Sequence, residues 1–227
     1  FAYDLSFYYN PYRDYIEPLY GVQKVFLDGQ NRDVAYSINE NKKNASLWGI
    51  DFSTSLYLEE LMPRLKHLGQ LLLTGSLNYS EGRFSDGTSM LAIQPLKAVA
   101  GFDYDLPKER AGISLRANFL KAKDVDQTRF VKSFYGDEQI SQFPYYFFQN
   151  AVTVDLFAYV TLARHLTLRA SVMNLTDTPY WLWDDIRQLI SPVMLVQHSD
   201  FFRGGLESVI RFSQPRRYAN LSLEFKL

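Results

Sequence analysis

The sequence predicts an all-β fold, the wall of a transmembrane antiparallel β-barrel, on three observations. Windows of about ten residues alternate apolar and polar side chains with the period of a strand that has one oily and one wet face. These windows reach the ~9–11 residues a strand needs to cross a bilayer, whereas globular strands usually run about five or six. The connections are short and long by turns, as in a barrel with short periplasmic turns and long outer loops.

Strand one is expected over about 2–13, where Tyr3, Leu5, Phe7 and Tyr9 alternate with Asp4, Ser6, Tyr8 and Asn10. The second sets Trp48, Ile50, Phe52, Leu56 and Leu58 against Gly49, Asp51, Ser53 and Ser55, and the third sets Leu71, Leu73, Leu77 and Tyr79 against Thr74, Ser76 and Asn78. The fourth alternates Ala98, Ala100, Phe102, Tyr104 and Leu106 with Lys97, Val99, Gly101, Asp103 and Asp105. The fifth, 111–121, places Ile113, Leu115, Ala117 and Phe119 opposite Ser114, Arg116 and Asn118. In the sixth, 151–162, Val152, Val154, Leu156, Ala158, Val160 and Leu162 alternate with Ala151, Thr153, Asp155, Phe157, Tyr159 and Thr161. The seventh, 166–173, alternates Leu166, Leu168 and Val172 with Thr167, Arg169 and Ser171; the eighth, about 217–227, alternates Leu221, Leu223, Phe225 and Leu227 with Asn220, Ser222 and Glu224. Helix is nearly absent: 59–68 has room for a turn or two, interrupted at Pro63.

Short connections fall at 59–69, 107–110 and 163–165, and long ones at 11–44, 81–95, 123–148 and 177–216. A soluble Tyr-rich sandwich has no reason to sort its loops this way. With the long loops outside, strand one runs outward and strand eight returns to the periplasm. Aromatic clusters are expected in the interfacial girdle: Tyr8, Tyr9, Tyr12 and Tyr15; Tyr145, Tyr146, Phe147 and Phe148; and Tyr180, Trp181 and Trp183.

Composition agrees with this reading. Of 227 residues 16% are aromatic, yet mean hydropathy is −0.20, so the two classes must be finely interleaved. Lys and Arg total 24 against 25 Asp and Glu, which removes the electrostatic footprint of a nucleic-acid binder. The absence of cysteine excludes disulfides, thiolate metal sites and a thiol nucleophile. The histidines, His67, His165 and His198, are too far apart for an HExxH site. No apolar run approaches the ~18 residues of a membrane helix. A chain opening at Phe1 reads as a mature or truncated piece.

Several motifs then resemble one family. The run Asn174-Leu175-Thr176-Asp177-Thr178-Pro179-Tyr180-Trp181 resembles the N-L-[FT]-[ND]-x-x-Y-W signature that closes the penultimate strand of TonB-dependent outer-membrane receptors. Trp183-Asp184-Asp185-Ile186-Arg187 resembles a segment of the haem/haemoglobin and transferrin/lactoferrin branch. Phe212-Ser213-Gln214-Pro215-Arg216-Arg217-Tyr218 resembles the lead-in to the last strand, with Arg216 where the family usually has Gly. Further matches lie at 7–16, 41–49 and 93–98. A C-terminal Leu227 departs slightly from the usual Phe.

The resemblance implies the last third or so of a barrel of ~22 strands whose lumen holds a plug. Residues 1–227 are then one C-terminal barrel segment, and the plug and N-terminal strands come from the rest of the receptor. It also implies outer-membrane lipid and lipopolysaccharide as surroundings, the TonB complex as a partner through a TonB box near the plug, and haem or a host haem- or iron-carrying protein as ligand. Haem enters as transported cargo; no cofactor is assigned to this segment, and no nucleic acid. A siderophore receptor is the nearest alternative. A self-contained eight-stranded barrel with a structural or adhesive role is another, since eight strands can close.

No catalytic arrangement is visible. Neither Asp103/Asp105 nor Asp184/Asp185 has a histidine or nucleophile beside it, so they read as lumen-lining and loop acids. Arg216 and Arg217 read as interfacial anchors facing lipid or lipopolysaccharide phosphates. The candidate ligand contacts lie in the last long loop: Trp181, Trp183, Arg187, His198, Phe201, Phe202 and Arg203, a mixture of aromatics and arginine typical of binding hot spots. His198 is the one histidine on the outer side, and imidazole is a common axial ligand of haem.

Overall fold

The computed structural model describes residues 1–90, 92–123, 149–186 and 212–226. Eight strands form one antiparallel sheet in chain order: β1 (Ala2–Leu27), β2 (Gln30–Tyr57), β3 (Gln70–Phe84), β4 (Lys97–Asp105), β5 (Ala111–Leu120), β6 (Ala151–Ala163), β7 (Leu166–Met173) and β8 (Tyr218–Phe225). Among the described residues β1 pairs only with β2 and β8 only with β7, so the sheet is an open arc and not a closed eight-stranded barrel. Two short helical pieces fill the β2–β3 turn, α1 (Leu58–Leu61) and a 3-10 helix (Pro63–Leu68), split where Pro63 was expected to interrupt.

Register turns the alternation into two continuous faces. Leu5, Phe52, Leu77, Ala98, Phe119 and Val152 stand opposite one another across six strands, and Phe102, Leu115, Leu156 and Val172 form a second apolar row. The intervening rows are polar but for Gly101 and Val99: Ser55, Thr74, Gly101, Arg116 and Asp155 in one, and Asp4, Ser53, Ser76, Val99, Asn118 and Thr153 in the next. Because the side-chain period is two, a slip of one residue would exchange the faces, so burial of the apolar face in lipid pins the register.

One expected loop is strand. The 11–44 connection continues β1 and β2 as a ribbon, from Tyr12 opposite Ala45 to Leu27 opposite Gln30. The ribbon turns on Asp28 (φ 52°) and Gly29 (φ 79°). Two successive positive φ values are what a two-residue hairpin turn requires, and Asp-Gly is a preferred pair for it. β3 leaves β2 at Phe84, opposite Ala45. Beyond Asn44, whose carbonyl accepts the Ser85 N–H at 2.9 Å, the ribbon strands pair only with each other among the described residues and extend roughly 45 Å at about 3.3 Å per residue. Two other boundaries move: β3 lengthens to Phe84, four residues into the expected 81–95 loop, and the last strand shortens to end at Phe225.

The aromatic girdle is also redistributed. On the lipid face Phe7 and Trp48 lie 6.4 Å apart and Trp48 and Tyr79 5.2 Å apart, centroid to centroid. Tyr9 shares that face and is 58% exposed. Tyr8, by contrast, shares a 2.6 Å hydrogen bond with Ser80 on the polar face. The left-handed Asp14 (φ 52°) interrupts the alternation, so Tyr15 joins Tyr12 (5.5 Å) and packs on Phe84 (5.7 Å) instead of facing lipid. The 145–148 cluster lies outside the described residues.

Candidate functional site

The polar face carries a ladder of side-chain contacts that lines the lumen. Asn78 donates to Asp51 near the outer end. At mid-wall Arg116 forks onto both oxygens of Asp103 at 2.7 and 2.9 Å, and Asn118 donates to Asp155 (2.9 Å) and Thr153 (3.1 Å). Towards the periplasm Tyr159 donates to Asp105 at 2.7 Å. Arg169 lies 5.5 Å from the Tyr159 ring centroid and donates to Glu224 at 2.9 Å. Gly101 and Gly112 permit this close layering: a Cβ at the first would strike Thr74 and Arg116, and at the second Asp105 and Tyr159. Asp103 and Asp105 are therefore structural acids of the wall.

At the outer end, two segments fold inward over this wall and make a ledge. The first follows β3. Phe84 donates its N–H to Thr88, Met90 donates to Gly82, and Met90 buries itself (2% exposed) against Ala45 and Phe84, flanked by Tyr15 and Ile93. Ala45 and Phe84 share the polar-face parity of Asp51 and Asn78, so this small apolar core sits inside the rim. Lys123 fastens it from the end of β5: Nζ donates to the carbonyls of Met90 (3.0 Å) and Ile93 (2.9 Å).

The second segment follows β7 and includes a helical turn, α2 (Trp183–Ile186). Trp183 is 7% exposed. With Tyr180 and Trp181 it borders a cleft of about 30 Å³ whose other walls include Leu120, Lys123, Asn150 and Ala151. That volume suits a water or two and not a cofactor. Leu120 and Ala151 face inward by register, so these aromatics cover the inner wall and are not part of the lipid girdle. Burial raises the Tyr180 phenol above its ordinary pKa.

A clamp holds the base of this second segment. Asn174 (φ 50°) and Asp177 (φ 53°) both occupy the left-handed region, which Asn and Asp tolerate better than other side chains. The buried Asn174 side chain accepts from the Thr178 N–H (3.0 Å) and donates to the carbonyls of Thr178 (2.8 Å) and Pro215 (3.3 Å). Its own N–H donates to Asp155 at 2.8 Å, which ties the clamp to the wall. Asp177 accepts two bonds from the Arg216 guanidinium (3.0 and 2.9 Å) and one from the Arg217 N–H (3.0 Å). Arg216 therefore closes the two ends of the 177–216 connection, which corrects its reading as a free anchor for lipid phosphates. Gln214 donates to Asp185 at 2.7 Å and closes it again.

The Arg216 guanidinium and the Arg217 N–H hold the Asp177 carboxyl well below the usual carboxylate range. A folded-state pKa below the unfolded one contributes stability that is complete above the ordinary carboxylate pKa and lost only as pH falls through the depressed value. Protease susceptibility of the 177–216 connection in the whole receptor is accordingly expected to stay constant from about pH 8 to about pH 5. Loosening within that interval would show that the clamp does not hold the loop.

A sequence model of the family described as "TonB dependent receptor-like, beta-barrel" matches residues 1–175. The chain belongs to the TonB-dependent receptors. It is 30% identical over 189 residues to the hemoglobin-haptoglobin-binding protein A of Haemophilus influenzae, covering 83% of this chain and 17% of that protein. It is 27% identical over 241 residues to the hemoglobin-haptoglobin utilization protein B of Neisseria meningitidis serogroup C, covering 98% of this chain and 28% of that protein. This receptor segment thus spans less than a third of the length of these relatives. Among solved structures it superposes on the copper transporter OprC with a TM-score of 0.63 at 16% identity, covering 98% of this chain and 28% of that one. It also superposes on the siderophore receptor PirA of Acinetobacter baumannii, with a TM-score of 0.53 at 15% identity over 98% of this chain and 29% of that one. Both likenesses show the fold. The family resides in the Gram-negative outer membrane, and its members are receptors and transporters, not enzymes.

Of the ligand contacts expected from the receptor's sequence, Trp181 and Trp183 come together at the ledge. Arg187, His198, Phe201, Phe202 and Arg203 lie outside the described residues. His67 lies in the β2–β3 turn and His165 in the β6–β7 turn, at the end of the sheet opposite the 177–216 connection. Sequence reasoning missed Lys123, Met90 and the hub Asp155. No local pattern marks them, because Lys123 and Asp155 act on residues about 20 or more positions away and the pocket that buries Met90 needs Ala45 and Tyr15 from the β1–β2 pair. The outer ribbon did leave a signal, the Asp28-Gly29 pair between alternating runs.

Proposed function

We propose that this segment supplies wall and capture surface to a TonB-dependent receptor for a haemoglobin-type haem carrier, free or bound to haptoglobin. Haem or iron taken from the carrier is the cargo. The plug, the TonB box and the TonB complex, contributed from beyond this segment, supply passage and its driving force. The observation that carries the reading is the similarity, along 83–98% of the chain, to proteins named for haemoglobin and haptoglobin. A ribbon standing roughly 45 Å clear of the wall at about 3.3 Å per residue suits capture of a protein better than of a small chelate. The 177–216 connection adds the aromatic and arginine cluster 197–203, with His198 as the candidate haem ligand.

The test uses the whole receptor displayed on cells. Residues 17–40 are replaced by Asp-Gly, which preserves the Ile16–Asn41 pairing and hence the register. Haemoglobin affinity is expected to fall about 10-fold or more, a loss of at least about 1.4 kcal/mol, with surface display unchanged. Deleting 194–206 is expected to act in the same direction. Unchanged binding in both displayed variants would remove these loops from capture. A wild-type receptor that binds a ferric siderophore or lactoferrin and neither form of haemoglobin would overturn the ligand reading itself.

A further inference from the structure

We propose that the periplasmic rim of this wall is a binding collar for anionic phospholipid headgroups of the inner leaflet. Three turns form the rim, at 58–69, 106–110 and 164–165, and all three carry cations: Arg64 and Lys66, Lys108 and Arg110, and Arg164. Among the described residues none of these five has a carboxylate within ion-pair distance. The nearby acids are engaged or outnumbered. Glu59 is turned back to accept the Leu71 N–H at 3.0 Å, and the two remaining acids of these turns, Glu60 and Glu109, are outnumbered by the five cations.

The same turns expose apolar side chains that an aqueous rim does not explain. Leu61 is 58% exposed, Met62 56%, Leu68 41%, Leu106 40% and, at the end of β6, Leu162 57%. Their placement is continuous with the lipid face. Tyr104 follows Phe102 on that face and donates its phenol to the Leu68 carbonyl at 3.0 Å, which draws the end of the 3-10 helix onto the lipid side of the sheet. Gly69 (φ 119°) seats the turn against its neighbour: a Cβ there would strike the Asp105 carbonyl and approach Pro107. The 58–69 and 106–110 turns thus form one surface, with leucine and methionine towards the acyl chains and unpaired cations at headgroup level. That pairing is how a segment lying in the membrane interface gains attraction from anionic lipid.

Spin-labelled lipids in bilayers containing the whole receptor test the proposal, because the motionally restricted fraction reports which headgroups the rim selects. Labelled phosphatidylglycerol is expected to associate several-fold more strongly than labelled phosphatidylcholine. The triple variant Arg64→Gln, Lys66→Gln and Lys108→Gln is expected to bring that ratio close to one. Arg83→Gln, at the outer rim, is expected to leave it unchanged. These side chains are exposed, and heat-modifiable migration verifies that each variant is folded. Absence of a phosphatidylglycerol preference in the wild type, or a preference that survives the triple substitution, overturns the collar. Loss of the preference in Arg83→Gln as well overturns its assignment to the periplasmic rim. None of these readings depends on which ligand the receptor takes up.

Discussion

Leu156→Arg in the whole receptor is expected to cost about 2–4 kcal/mol of barrel stability, the penalty for a cation on the lipid face near mid-bilayer. Leu156 pairs with Leu115 on β5 and Val172 on β7, all on the apolar face, so an arginine there has neither water nor a carboxylate. Leu115→Arg is expected to behave alike. Ser114→Arg should be far milder, because its register partner is Asp103 on the polar face, and Thr167→Arg milder still opposite Glu224. Thr153 is the exception within the polar rows. By parity it belongs with the tolerant positions, yet it is 2% exposed and accepts from Asn118, so Thr153→Arg is expected to be as disruptive as a lipid-facing substitution. Denaturant titration in phospholipid vesicles measures all five. Equal penalties at Leu156 and Ser114 would mean that the register is wrong.

The second large effect is expected at Asn174. Asn174→Ala removes a buried side chain that satisfies the Thr178 N–H and two carbonyls, and leaving buried polar groups unpaired costs about 1–3 kcal/mol each. It also forces a residue with an ordinary Cβ into the left-handed region (φ 50°), worth about 1–2 kcal/mol. A total destabilisation of about 2–4 kcal/mol is expected after partial rehydration, read as a lower denaturation midpoint and faster proteolysis within 177–216. Asn174→Gly separates the two causes, since glycine accepts the conformation but makes none of the bonds. A glycine variant as stable as the wild type would mean that the side-chain bonds contribute nothing. Asp177→Ala should fall well short of Asn174→Ala, because the Asp177–Arg216 pair is exposed to solvent.

The two clamp positions also show why the family signature has its spacing. Asn174 and Asp177 are three apart because they bound one turn: the Asp177 N–H donates to the Asn174 carbonyl at 2.8 Å, and both residues take the left-handed region. The arginine at 216, a departure from the usual glycine, is used here to hold Asp177. As a string the motif identifies the family. Its physical task, fastening both ends of a long outer connection to Asp155 and thereby to the wall, emerges only in three dimensions.

The sequence by itself determined eight strands, their antiparallel order and the division of each into an apolar and a polar face. A barrel wall makes this possible: each strand repeats the same two-residue code and pairs with its neighbour in the chain, so local pattern and global arrangement carry the same information. Tertiary structure decided what happens where the code stops. Tyr15 turns inward because Asp14 is left-handed, Trp183 leaves the girdle because Leu120 and Ala151 offer an inner surface, and 11–44 becomes a ribbon because Asp28 and Gly29 close a tight turn. Lys123 finds two carbonyls about 30 residues before it only after the segment following β3 has folded over the rim. Alternation records the contrast between lipid and water on the two faces of a strand. At the outer rim both faces meet water or protein, so the choice there passes to hydrogen bonds between residues distant in the chain.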